Sequence, residues 1–216
     1  MFEFVYRGRF DCLISKKTFE TYVKDLYLSM KSRFRVKWAP KHFVVIMELN
    51  PRKEKGWGGN NWYEEGTFTL QLQLFGFPKR DQTFRILQRW LGDTLIHEML
   101  HLFIPSVQGN SCWTEGVVEF MTYWVQDTIR ENLAKTIQEY KEITDEAYRQ
   151  HKYGYVVGFK KMNALYEEDP RVVEVVLKMI SDNERKIYTK AEVVAYDARF
   201  RTFFAGGCNR HVPHDL

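Results

Sequence analysis

The sequence predicts an α+β fold, because strand patterns mix with one helix before Gly76 and helical patterns run almost unbroken after it. Two further observations support a folded chain. Its 216 residues are 44% hydrophobic and 16% aromatic, enough apolar matter for a substantial core. Charged residues are 28% and no Pro, Ser or Gln tract occurs, which excludes a disordered chain.

Phe2 to Ile14 is rich in Phe, Val and Tyr and predicts a first strand with a break at Gly8. Ser15 can cap a helix from about Lys17 to Ser32, where Phe19, Tyr22, Val23, Leu26, Tyr27 and Met30 recur at helical spacing. Arg33 to Trp38 and His42 to Leu49 read as strands separated by Ala39-Pro40. Asn50 to Gly66 reads as a loop, since its glycines and asparagines offer turn chemistry and no hydrophobic period. Thr67 to Leu74 alternates almost perfectly, with Phe68, Leu70, Leu72 and Leu74 on one face, and is the clearest strand.

Pro78 and Asp81 mark the entry to a central helix from Thr83 to Phe103, whose stripe of Phe84, Leu87, Trp90, Leu91, Leu95, Met99 and Leu102 belongs in an interior. Pro105 closes it. Helical patterns follow at Trp113 to Asp127, at Thr128 to Gln150 as one helix or two, and at Tyr155 to Glu168. Pro170 to Ser181 opens with Asp169 at the cap and Pro170 at the first helical position. Thr189 to Glu192 forms a capping box for a last helix towards Phe204. The expected organisation is an N-terminal α+β lobe, residues 1–104, and a helical lobe, residues 105–216, making one compact unit with a cleft between them.

The net charge of +4 hides an asymmetry. Residues 1 to 90 carry 17 Lys+Arg against 9 Asp+Glu, or +8, and the remainder carries 15 against 19, or −4. The clusters Lys31 to Lys37 and Arg52 to Lys55 read first as solvated surface. Nucleic acid is a conceivable partner but is not favoured, because no recognised nucleic-acid motif accompanies the charge. Cys12, Cys112 and Cys208 are an odd number at wide spacings, which predicts reduced thiols. Cys112 is considered, and not preferred, as a further metal ligand. No secretory leader pattern opens the chain and no apolar run approaches the roughly 20 residues that cross a bilayer, so no membrane partner and a cytoplasmic location are expected.

The chemistry is carried by His97-Glu98-Met99-Leu100-His101, an H-E-x-x-H inside the central helix pattern. On a helix the two histidines stack on one face one turn apart, as a shared metal ion requires. Glu98 then lies beside the open metal position, where a zinc-activated water gains a general base. A catalytic zinc takes three protein ligands. The third candidate is Glu115 in Trp113-Thr114-Glu115-Gly116-Val117-Val118-Glu119, thirteen intervening residues after His101. Glu119 falls one turn further on the same face, where it can accept a hydrogen bond from a ligand histidine.

H-E-x-x-H followed by W-x-E-G-x-x-E resembles the gluzincin clan of zinc metallopeptidases, especially its alanyl- and glycyl-aminopeptidase-like families. The resemblance implies a zincin-like fold with one zinc ion held by His97, His101 and Glu115, with Glu98 as base and Glu119 in support. It extends to Tyr155-Val156-Val157-Gly158, which looks like the Y-x-K-G segment whose tyrosine stabilises the oxyanion. The family lysine is Val157 here, and Tyr153 is the nearest rival to Tyr155. The resemblance also implies that the strand before the central helix binds substrate as an edge strand, through Thr69, Leu70, Gln71 and Leu72. The G-x-M-E-N type motif that holds a substrate amine is absent, and Glu64 and Glu65 are the nearest substitutes.

The expected function is a zinc-dependent metallopeptidase acting on a peptide or protein substrate, exo- or endo-action being open. A non-haem iron carboxylate protein is the second enzyme class, although the further E-x-x-H pairs it needs are absent. The non-enzyme alternative is a catalytically silent zincin-fold module that binds a partner through its basic N-terminal half.

Overall fold

The computed structural model of the chain describes residues 1–8, 15–50, 56–75, 90–182 and 187–205. By its contacts the chain divides into two units, Met1–Leu102 and Phe103–Leu216. The first carries the strands and the second is helical, and the α+β class is as expected. Outside the described residues lie the strand continuation to Ile14, the cluster Arg52 to Lys55, the start of the central helix with Pro78, Asp81, Phe84 and Leu87, and the tail with His211 and His214. Cys12 and Cys208 lie outside them too.

In the first unit, β1 (Phe2–Arg7), β2 (His42–Asn50), β3 (Gly56–Glu64) and β4 (Thr67–Phe75) form a mixed sheet in the order β1-β2-β4-β3. β1 and β2 are parallel, so the chain must cross over between them, and α1 (Lys16–Arg33) supplies that crossover. Ser15 caps α1 by accepting from the Thr18 N–H at 3.1 Å. The buried stripe Phe19, Val23, Tyr27 and Met30 keeps helical spacing and faces the sheet. Rings of Phe4 and Phe19, of Phe2 and Tyr27, and of Tyr27 and Phe43 meet edge to face there at 5.4–6.3 Å.

Register assigns each side chain to a face. Phe43, Val45 and Met47 of β2 stand beside Phe68, Leu70 and Leu72 of β4 on the core side. Glu48 and Gln71 share the opposite face, where Gln71 Nε2 donates to Glu48 Oε2 at 2.9 Å.

Two strand expectations are corrected. Arg33 to Trp38 forms no strand: α1 runs to Arg33, Phe34 closes it, and Arg35 turns the chain with φ 53° while the Val36 N–H reaches back to the Lys31 carbonyl. The expected loop from Asn50 to Gly66 contains β3, which pairs antiparallel with β4 from Gly56↔Phe75 to Glu64↔Thr67. Backbone pairing, with no hydrophobic period behind it, makes this strand. Glu65 and Gly66, at φ 50° and 85°, form the tight turn between the two strands.

A π-helical turn, Trp90–Thr94, leads into α2 (Leu95–Phe103). Leu95, Met99 and Leu102 are buried, as the apolar stripe predicts, and Leu100 on another face is buried too.

The second unit is helical: α3 (Ser111–Val125), α4 (Ile129–Lys141), α5 (Glu146–Glu168), α6 (Val172–Asp182), α7 (Lys190–Tyr196) and α8 (Phe200–Phe204). The segment from Thr128 to Gln150 is two helices, and the second merges with the one expected from Tyr155 because Asp145 caps it by accepting from the Tyr148 N–H at 2.7 Å. Thr189 and Glu192 make the expected capping box, but the last helix breaks at Asp197. There Arg199 bridges Asp197 and Asp169, donating to Asp169 Oδ2 at 2.6 Å, and Arg171 chelates Asp169 as well. These guanidinium contacts lower the Asp169 pKa from 3.8 to about 2, the Arg171 hydrogen bond being the largest cause. No described helix is long and apolar enough to cross a membrane.

Candidate metal centre

Helical spacing on α2 brings His97 and His101 together. Their Nε2 atoms lie 3.2 Å apart and their ring centroids 4.9 Å apart at 74°. A tetrahedral ion about 2.0–2.1 Å from each of two nitrogens holds them roughly 3.3–3.4 Å apart, so the separation fits one shared zinc. His97 is 7% exposed and Glu98, the residue between the pair, is also 7% exposed.

Glu98 is held by the sheet of its own unit. Asn61 Nδ2 donates to Glu98 Oε2 at 2.7 Å. Gly59, two residues earlier on the same face of β3, leaves the space that the Glu98 side chain occupies: a Cβ there would overlap Glu98 Cγ and stand 2.6 Å from Oε1. Gly59 pairs with Leu72 and Asn61 with Leu70, so both residues look to the core side of the sheet.

Glu115 is presented by the first turns of α3. Asn110 caps that helix, its Oδ1 accepting from the Trp113 N–H at 2.8 Å. Trp113 is fully buried, donates from Nε1 to the Pro105 carbonyl at 2.9 Å, and lies against the rings of Phe200, Phe203 and Phe204. The tryptophan of W-x-E-G thus anchors the turn that carries the glutamate. The glycine of that motif acts elsewhere, since Gly116 and Gly158 meet where α3 crosses α5, and a Cβ on either would overlap the other helix's backbone. The ligand atoms of His97, His101 and Glu115 all lie within 4.8 Å of one another. Two imidazoles and a carboxylate are a donor set that zinc accepts.

Glu119 is half-buried one turn beyond Glu115 on α3 and lines a cavity of about 170 Å³ with Tyr123, Tyr140, Lys152 and Tyr155. Tyr155 is on α5, its ring 5.7 Å from that of His151, with Lys152 Nζ 4.4 Å from its centroid. Tyr153 is on the same helix, and burial followed by the neighbouring Tyr140 raises its pKa. Arg199 is engaged with Asp197 and Asp169.

The edge-strand expectation is corrected. β4 is an inner strand, paired to β2 on one side and β3 on the other, so its main chain has no side open to an added strand. Thr69 and Gln71 face away from the side on which Asn61 meets Glu98, and Leu70 and Leu72 are fully buried. Among the described residues the outer strand beside Glu98 is β3. Sequence reading also missed Gly59 and Asn61. The one signal was Gly58-Gly59 itself, since glycine within a strand marks a close approach of another group.

The thiol expectation is corrected at one position: Cys112 is disulfide-bonded and 1% exposed, in the first turn of α3. It is therefore no metal ligand. Wide spacing along a chain says nothing about proximity in the fold, and three cysteines allow one bridge.

Neither a protein-family model nor a curated protein matches this chain.

Proposed function

We propose that this chain is a zinc-dependent metallopeptidase with a gluzincin-like arrangement. The observation that carries this reading is the His97 and His101 pair, with nitrogens 3.2 Å apart and a buried glutamate between them. His97, His101 and Glu115 would hold the ion. Bound zinc supplies a Lewis acid that acidifies water and polarises a peptide carbonyl.

The chain's own residues do the rest. Glu98 accepts a proton from the attacking water and returns it to the leaving amine, as its position beside the histidine pair allows. Glu119 steadies a ligand histidine by accepting its second N–H. Tyr155 is the candidate oxyanion donor. The substrate main chain adds to the outer edge of β3, in place of β4, and runs past Glu98 as an extended strand.

The test is metal analysis alongside peptide-library cleavage. Protein purified without chelator should carry one zinc per chain and lose hydrolysis on chelation, with recovery on adding zinc back. Glu98→Gln should keep the zinc and lose turnover by roughly 100- to 10,000-fold. Glu115→Ala should lose both. Iron in place of zinc, or hydrolysis indifferent to Glu98→Gln, sinks the proposal.

A further inference from the structure

We infer that Gly59 and Asn61 of β3 are positioning residues that clamp the Glu98 carboxylate in one geometry; the inference rests on the peptidase reading for its catalytic consequence, and on geometry alone for the clamp. A glutamate side chain turns about three bonds, so a base carried on a helix needs partners that fix it. Here both partners come from one strand. Asn61 Nδ2 donates to Oε2 at 2.7 Å, the length of a charge-assisted hydrogen bond. An ionised carboxylate only accepts, so the amide must present its nitrogen, and Oε1 is left for proton exchange.

Gly59 complements that bond. With no side chain at 59, the Glu98 side chain lies against the β3 backbone; a methyl there would stand 2.6 Å from Oε1 and 2.8 Å from Cδ. That is closer than carbon packs, so alanine at this position must push the carboxylate away. One residue pulls one oxygen into place and the other leaves room for the second. Pairing along β4 from Gly56 to Glu64 makes the strand a firm support for both.

The residue types follow from the geometry. Aspartate at 61 keeps the shape of asparagine but offers no N–H and sets a second carboxylate against the first. Alanine removes the bond and keeps the backbone.

The experiment compares wild type, Asn61→Ala, Asn61→Asp and Gly59→Ala, each loaded with zinc. Crystal structures, zinc stoichiometry, circular-dichroism melts and steady-state kinetics on a fluorogenic peptide are the measurements. The expected result is a single Glu98 rotamer on Asn61 in wild type that is lost in all three variants. Zinc content should be unchanged, and kcat should fall roughly 10- to 100-fold while KM stays within about threefold. Glu98 retaining its wild-type rotamer in Asn61→Ala and Gly59→Ala overturns the clamp, as does a fall in kcat that merely tracks lost zinc. Should Gly59→Ala fail to fold, Asn61→Ala and Asn61→Asp decide alone. Should wild type hydrolyse no peptide, the peptidase reading fails, while the rotamer comparison still decides the clamp.

Discussion

β3 and β4 are paired along nine residues and have opposite characters. β4 is the strand a sequence announces: Phe68, Leu70 and Leu72 are fully buried, and both its edges are hydrogen-bonded. β3 has glycine and asparagine where a strand should have apolar alternation, and exposed Trp62 and Tyr63 near its end. Yet β3 is the strand that touches Glu98. A strand saturated with packing and pairing has no groups left for chemistry, whereas an outer strand with small and polar residues can hold a reactive side chain.

The contrast is broken most sharply by truncating each strand in turn. Leu70→Ala on β4 should destabilise the protein by about 2–5 kcal/mol in urea denaturation, because it opens a cavity in a fully buried site. An equal loss from Asn61→Ala would show that β3 bears the same packing load and would erase the distinction.

The second unit offers a parallel contrast between a buried helix crossing and a half-buried ionic turn. Gly116→Ala forces a methyl into the α5 backbone at Gly158 and should cost about 1–3 kcal/mol, read from the melting temperature. The contribution of the ionic turn changes with pH only in acid. Asp169 has a depressed folded pKa, so its contribution is fully present above the unfolded value of 3.8 and is lost as pH falls towards about 2. Asp169→Asn should therefore flatten the stability curve in that window and leave the shape near neutrality unchanged. The smallest effect is expected at Trp62→Ala, within about 0.5 kcal/mol of wild type, since the side chain is 40% exposed. A larger loss there would mean that β3 is anchored by its aromatics as well as by β4.

Much of the site was legible because its signals are local. The histidines at 97 and 101 and the caps at Ser15 and Thr189 depend on spacings within one helical turn, and spacing is what a sequence records. The α+β order was legible for the same reason, as β4 and α1 show by their periods. Glu115 was reached through the tryptophan and glycine around it, and the fold gives each a role, with Trp113 anchoring the turn and Gly116 admitting α5.

What the sequence by itself determined, then, is the identity of the histidine pair, the glutamate between them and the helical patterns that carry them and Glu115, because local backbone geometry dictates them. Only the tertiary structure decided which strand lies outermost, that Cys112 is bridged, and that Gly59 and Asn61 meet Glu98. Strand order and cross-chain contact depend on partners far apart in the chain, 37 residues for Asn61 and Glu98, and no local period encodes them.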